Sequence, residues 1–109
     1  MKLPNGDQAI VPLEKLLDYC LNPEHPSGKH KARVFASALG ITAETVDTLQ
    51  QLILIAAVEG EVVQQSLTEY GRLLKVDWAV PGYDRIVLRT LWEITPDTPE
   101  PRLVSAFIK

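Results

Sequence analysis

Apolar residues in the first half of the chain recur at helical spacing. Leu13, Leu16, Leu17 and Cys20 alternate with Glu14, Lys15 and Asp18, which predicts a helix from Pro12 to about residue 21. Asn22-Pro23 and His25-Pro26-Ser27-Gly28 break it. Before it, Ala9, Ile10 and Val11 follow an Asn-Gly turn signal and predict a short strand. A second helix is expected over residues 29–39, with Gly40 as its C-cap. Ala32, Phe35, Ala36 and Leu39 share one face of it; Lys29, Arg33 and Ser37 share the opposite face, with His30 beside them. Thr42 suits the N-cap of a third helix. Its buried face is Val46, Leu49, Leu52, Ile53 and Ala56, and Gly60 ends it.

After Gly60 the period falls from 3.6 to 2. Residues 62–67, 73–80, 85–94 and 102–108 read as strands, separated by turns at 68–71 and 81–84 and by a loop at 95–101 that holds three prolines. The short connections favour an antiparallel meander. Val76, Trp78, Leu88, Trp92, Val104 and Ala106 are expected on the face under the helices. Lys75, Asp77, Arg89, Glu93 and Ser105 are expected on the other, together with Leu91, Leu103 and Phe107. The expected fold is therefore α+β, with N-terminal helices (about 13–59) packed on one face of a C-terminal antiparallel β-meander of about four strands (about 62–108). One domain, residues 1–109, is expected. Its core is Phe35, Leu39, Leu49, Ile53, Val76 and Trp78.

Composition is that of an ordinary globular domain, 46% hydrophobic and 23% charged among 109 residues. The net charge of −3 argues against a general nucleic-acid coat but leaves room for a local basic site. A single cysteine, Cys20, permits neither an internal disulfide nor a cysteine-based zinc site; it reads as a small buried hydrophobe. No metal site and no cofactor is expected. No apolar run approaches membrane-spanning length, no signal-peptide pattern opens the chain, and a cytoplasmic location is expected.

The densest positive cluster is Lys29-His30-Lys31-Ala32-Arg33, opening the second helix after Gly28. Cations at a positive helix end are locally unfavourable and ask for a counter-charge. That is either a bound anion or a nearby acid such as Glu24 or Asp18. Lys29, Lys31 and Arg33 are thus candidate anion- or RNA-binding residues. His30 is the candidate acid–base group. Arg89 and Ser105, expected on neighbouring strands, form a second candidate pair for a phosphate; the competing reading pairs Arg89 with Glu93 or Asp77. His25, in the turn, reads as structural.

The stretch Leu21-Asn22-Pro23-Glu24-His25-Pro26-Ser27-Gly28-Lys29-His30-Lys31-Ala32-Arg33-Val34-Phe35 resembles the signature of a family of small, uncharacterised bacterial domains; Lys2–Gly6 and Pro101–Ser105 resemble it more weakly. More distantly, helices followed by a four-stranded antiparallel sheet resemble the barnase–EndoU–colicin–RelE group of metal-independent ribonucleases and toxins. That resemblance implies RNA cleavage by in-line attack of a 2′-hydroxyl. His30, Arg89 and Ser105 would be catalytic, and Lys29, Lys31 and Arg33 would bind the anion. The alternative is a non-catalytic module that binds a protein partner or a second copy through its sheet.

Overall fold

The computed structural model describes residues 1–26 and 28–109. Ser27, part of the expected breaker, lies outside the described residues. The first helix is short and changes type: one α-helical turn, α1 (Leu13–Lys15), runs into a π-helical turn, Leu16–Cys20. Further along come α2 (Lys29–Leu39), a 3-10 turn (Ala43–Thr45) and α3 (Val46–Glu59). Gly40 closes α2 in the left-handed region at φ 68°, donating its N–H to the Ala36 carbonyl while Ile41 donates to that of Phe35. Thr42 caps the next segment, its hydroxyl accepting the Glu44 N–H and its own N–H donating to the Thr45 hydroxyl.

Strands β1 (Glu61–Thr68), β2 (Gly71–Ala79), β3 (Val87–Thr95) and β4 (Thr98–Ile108) form an antiparallel sheet in the order β1-β2-β3-β4. β4 begins earlier than expected and includes Pro99 and Pro101. An edge position makes this possible, because a proline without an N–H costs nothing on an unpaired side. The outer side of β4 is covered instead by the N-terminal segment: Ile10 bridges Arg102 in parallel, donating to the Pro101 carbonyl and accepting from Leu103. The expected short N-terminal strand is thus this single bridge. β3 starts two residues later than expected, because Arg85 sits at φ 66° in the turn.

Leu74, Val76 and Trp78 on β2 and Leu88, Thr90 and Trp92 on β3 are buried alternately with half-exposed neighbours. α3 lies against both strands and contributes Leu49, Ile53 and Ala56 to the core, which also takes in Leu16, Cys20 and Phe35. Leu39 is only half-buried beside it. On β4 the expected assignment of two neighbours is reversed. Leu103 is buried and Val104 is not, because the register shifts between the Leu91–Ser105 and Trp92–Leu103 pairs and leaves Val104 unpaired.

α2 lies against β4 and the π-helical turn. Its Lys31 reaches Ser105 and Phe107, which pair with Leu91 and Arg89 on the half-exposed face, opposite to Trp92. No single helix among the described residues is long and apolar enough to cross a membrane.

Candidate functional site

The turn between the π-helical segment and α2 is held by contacts that require its particular residues. Gly28 packs against the backbone of Tyr19: a Cβ there would stand 2.2 Å from the Tyr19 carbonyl oxygen. The Gly28 N–H donates to His25 Nδ1 at 3.0 Å, and the His25 carbonyl accepts from Lys29 N–H at 3.0 Å. Nδ1 is an acceptor here, so the ring proton is on Nε2. The His25 ring meets the Tyr19 ring edge-on at 4.8 Å between centroids. His25 therefore does have a structural role, fixing where α2 starts.

With α2 so placed, Lys31 enters between Tyr19 and β4. Its ammonium donates to the Tyr19 hydroxyl at 2.8 Å and to the Ser105 hydroxyl at 3.2 Å. It also lies 4.6 Å from the Tyr19 ring centroid and 5.1 Å from that of Phe107. No carboxylate lies within 4.0 Å of it among the described residues, so neither Glu24 nor Asp18 neutralises it. Each hydroxyl oxygen accepts from the ammonium and can direct its own proton elsewhere.

Tyr19 and Ser105 line a cavity of about 580 Å³, with Lys15 and His25, and with Glu14 and Asp18 among its remaining lining residues. A second cavity, of about 500 Å³, contains Lys29 and Arg33 in its lining, together with Leu21, Pro23, Thr42 and Glu44. Residues two apart on a helix point about 200° apart, so the cations of the cluster divide between two sides of α2: Lys31 on one, Lys29 and Arg33 on the other.

The remaining expected residues are placed separately. Arg89 is held by Asp77 through two hydrogen bonds, Nε to Oδ1 at 2.7 Å and Nη2 to Oδ2 at 2.8 Å. Lys109 adds a weaker contact to Asp77 at 3.5 Å. The hydrogen bonds from Arg89 pull the Asp77 carboxyl below its ordinary value, and Asp77 in turn raises the guanidinium. Arg89 thus has its counter-charge within the sheet. His30 is exposed on α2 and lines neither of these cavities. Burial pushes the Cys20 thiol upward, in keeping with a small core residue and not with a nucleophile. Among the described residues no three His, Cys, Asp or Glu side chains gather in a way that would hold a metal ion.

A family model described as a domain of unknown function, DUF6883, matches residues 2–109. The chain belongs to the DUF6883 family. No curated protein and no solved structure matches it.

In this DUF6883 domain the structure joins Ser105 to Lys31, an association that strand assignment alone does not give. In the sequence Tyr19 falls within an apparently regular amphipathic helix, which gives it no mark of its own. The signal for it lay in the turn: Gly28 is placed to approach a backbone, and the backbone it approaches is that of Tyr19.

Proposed function

We propose that this DUF6883 domain binds a phosphodiester, with single-stranded RNA as its ligand class, in the cavity between the π-helical turn and β4. The observation that carries this reading is the Lys31 ammonium shared by the Tyr19 and Ser105 hydroxyls. A cation that donates to both oxygens polarises both O–H groups, and both residues line the cavity. Two polarised donors beside Lys15 make a wall suited to phosphate oxygens. Glu14 and Asp18 repel phosphate, but they are acceptors for ribose hydroxyls, which favours RNA over DNA.

Binding precedes cleavage in this reading. Metal-independent cleavage of the ribonuclease–toxin type would form a bond from the 2′-oxygen to phosphorus and break the bond from phosphorus to the 5′-oxygen. A base would take the 2′ proton and an acid would supply one to the leaving oxygen. Lys31 and Ser105 would face the charge on the phosphorane. His30, exposed on α2 next to Lys31 in the chain and outside both cavity linings, is the proposed proton-transfer group for a strand that runs out of the cavity over α2, and Arg89 is assigned to holding Asp77. The test is titration of fluorescent single-stranded RNA at low salt, with the products examined for 2′,3′-cyclic ends. Lys31→Met is expected to weaken binding by roughly 10- to 100-fold, the effect of losing charge-assisted hydrogen bonds, and His30→Ala to leave binding intact while removing any cleavage. Equal binding by wild type and Lys31→Met overturns the reading.

One observation favours the alternative, a protein-interaction module. β1 is an edge strand without a charged residue from Val62 to Thr68, and Leu67 on it is 84% exposed. A strand from a partner or a second copy would add there, and sedimentation of the wild type against Leu67→Lys tests it.

A further inference from the structure

The cavity on the other side of α2 is not used by the phosphodiester site, and its chemistry differs. Lys29 and Arg33 lie one helical turn apart on its wall. Neither has a carboxylate within 4.0 Å among the described residues. Leu21, Pro23 and Ala32 give its lining apolar surface, and Thr42 and the Glu44 carboxylate also line it. A mostly apolar cavity of about 500 Å³ with two cations that have no carboxylate in ion-pair range among the described residues suits a flat apolar group attached to an anion. A nucleotide has that form.

The position of the two cavities extends this. Pro23 lines this cavity and His25 lines the phosphodiester cavity. Two residues of chain span at most about 7 Å, so Pro23 and His25, one from each lining, stand that close across the turn. We propose that the second cavity is a nucleobase subsite for the nucleotide next to the one held at Tyr19 and Ser105. This rests on the RNA reading above and deepens it. The base enters between Pro23 and Ala32, and Lys29 and Arg33 meet its flanking phosphate. The Glu44 carboxylate can only accept hydrogen bonds. It therefore favours a base that presents an amino group, cytosine, adenine or guanine, over uracil, whose one Watson–Crick donor is the ring N3–H.

The experiment measures binding of the hexamers rC6, rA6 and rU6 by anisotropy over a range of salt, for wild type, Lys29→Ala/Arg33→Ala, Glu44→Gln and Lys31→Met. The binding of inorganic phosphate is followed in parallel by NMR at Tyr19 and Ser105. The double variant is expected to bind rC6 roughly tenfold more weakly. Its slope of log K against log salt should be shallower by about 0.7, one lost phosphate contact on a single strand. Phosphate should bind it as it binds wild type. Wild type should prefer rC6 and rA6 to rU6, and Glu44→Gln should narrow that preference. If the double variant binds rC6 as wild type does while Lys31→Met does not, the subsite is wrong and the phosphodiester site stands. Equal wild-type affinity for all three hexamers removes the role of Glu44 and the base reading with it. Absence of RNA binding by the wild type overturns both proposals.

Discussion

Gly28 and Tyr19 touch through their backbones, so closely that a methyl group on Gly28 would lie 2.2 Å from the Tyr19 carbonyl oxygen. The start of α2, and with it the position of Lys31, depends on that contact. Gly28→Ala must push the turn away from the π-helical segment. The expected cost is on the order of 1–3 kcal/mol, as for overpacking, seen as a lower thermal midpoint. Binding of phosphate should weaken along with it. Unchanged stability and binding would show that Lys31 is positioned by other contacts.

A buried relay in the sheet makes a separate prediction. Trp92 Nε1 donates to the Thr90 hydroxyl at 2.7 Å, and that hydroxyl donates to the Val76 carbonyl at 3.4 Å. Both side chains are fully buried. Thr90→Val keeps the shape but strands the indole N–H, at about 1–3 kcal/mol. Urea unfolding checks it; a loss below about 0.5 kcal/mol would mean the indole finds another acceptor.

The core makes a third. Ile53 is fully buried and Leu39 only half-buried. Ile53→Ala should cost about 2–5 kcal/mol, and Leu39→Ala less, below about 2 kcal/mol, since less area leaves water. Equal losses in denaturant unfolding would contradict this packing.

Acid stability reports on the Asp77–Arg89 pair. The hydrogen bonds from Arg89 hold the Asp77 carboxyl below its ordinary 3.8. A depressed carboxyl contributes stability that is present at neutral pH and is lost as pH falls through the folded value, so the window lies below about pH 4. Asp77→Asn should lower stability at pH 7 by about 1.5–3 kcal/mol, and the gap to wild type should close toward pH 2. A gap that is constant with pH would exclude the ion pair as its source.

Much of the fold was legible in the chain because period is a local property. The alternation of Leu74, Val76 and Trp78 and the helical spacing of Leu49, Ile53 and Ala56 each specify a buried face without reference to the rest of the molecule. Three features were not legible. The Val104 bulge depends on how β4 registers against β3, which no single strand reveals. The π-helical turn at Leu16–Cys20 preserves an amphipathic pattern, so periodicity reads straight through it. The site needs long-range placement: Lys31 was grouped with Lys29 and Arg33 by sequence, whereas helical geometry sends it the other way, to Tyr19 and Ser105. Arg89 reads in the sequence either as a phosphate clamp or as the partner of Glu93 or Asp77; it faces Asp77 across one register pair and is bonded to it.

The central claim is that the Lys31–Tyr19–Ser105 cluster binds a phosphodiester. Its most direct test is a ¹H–¹⁵N NMR titration of the domain at low salt with an unmodified single-stranded RNA hexamer, which keeps the 2′-hydroxyls that Glu14 and Asp18 would accept from. The largest, saturable and salt-sensitive shifts should fall on Tyr19, His25, Gly28, Lys31 and Ser105. Shifts confined to β1, or none at millimolar RNA, would contradict the account.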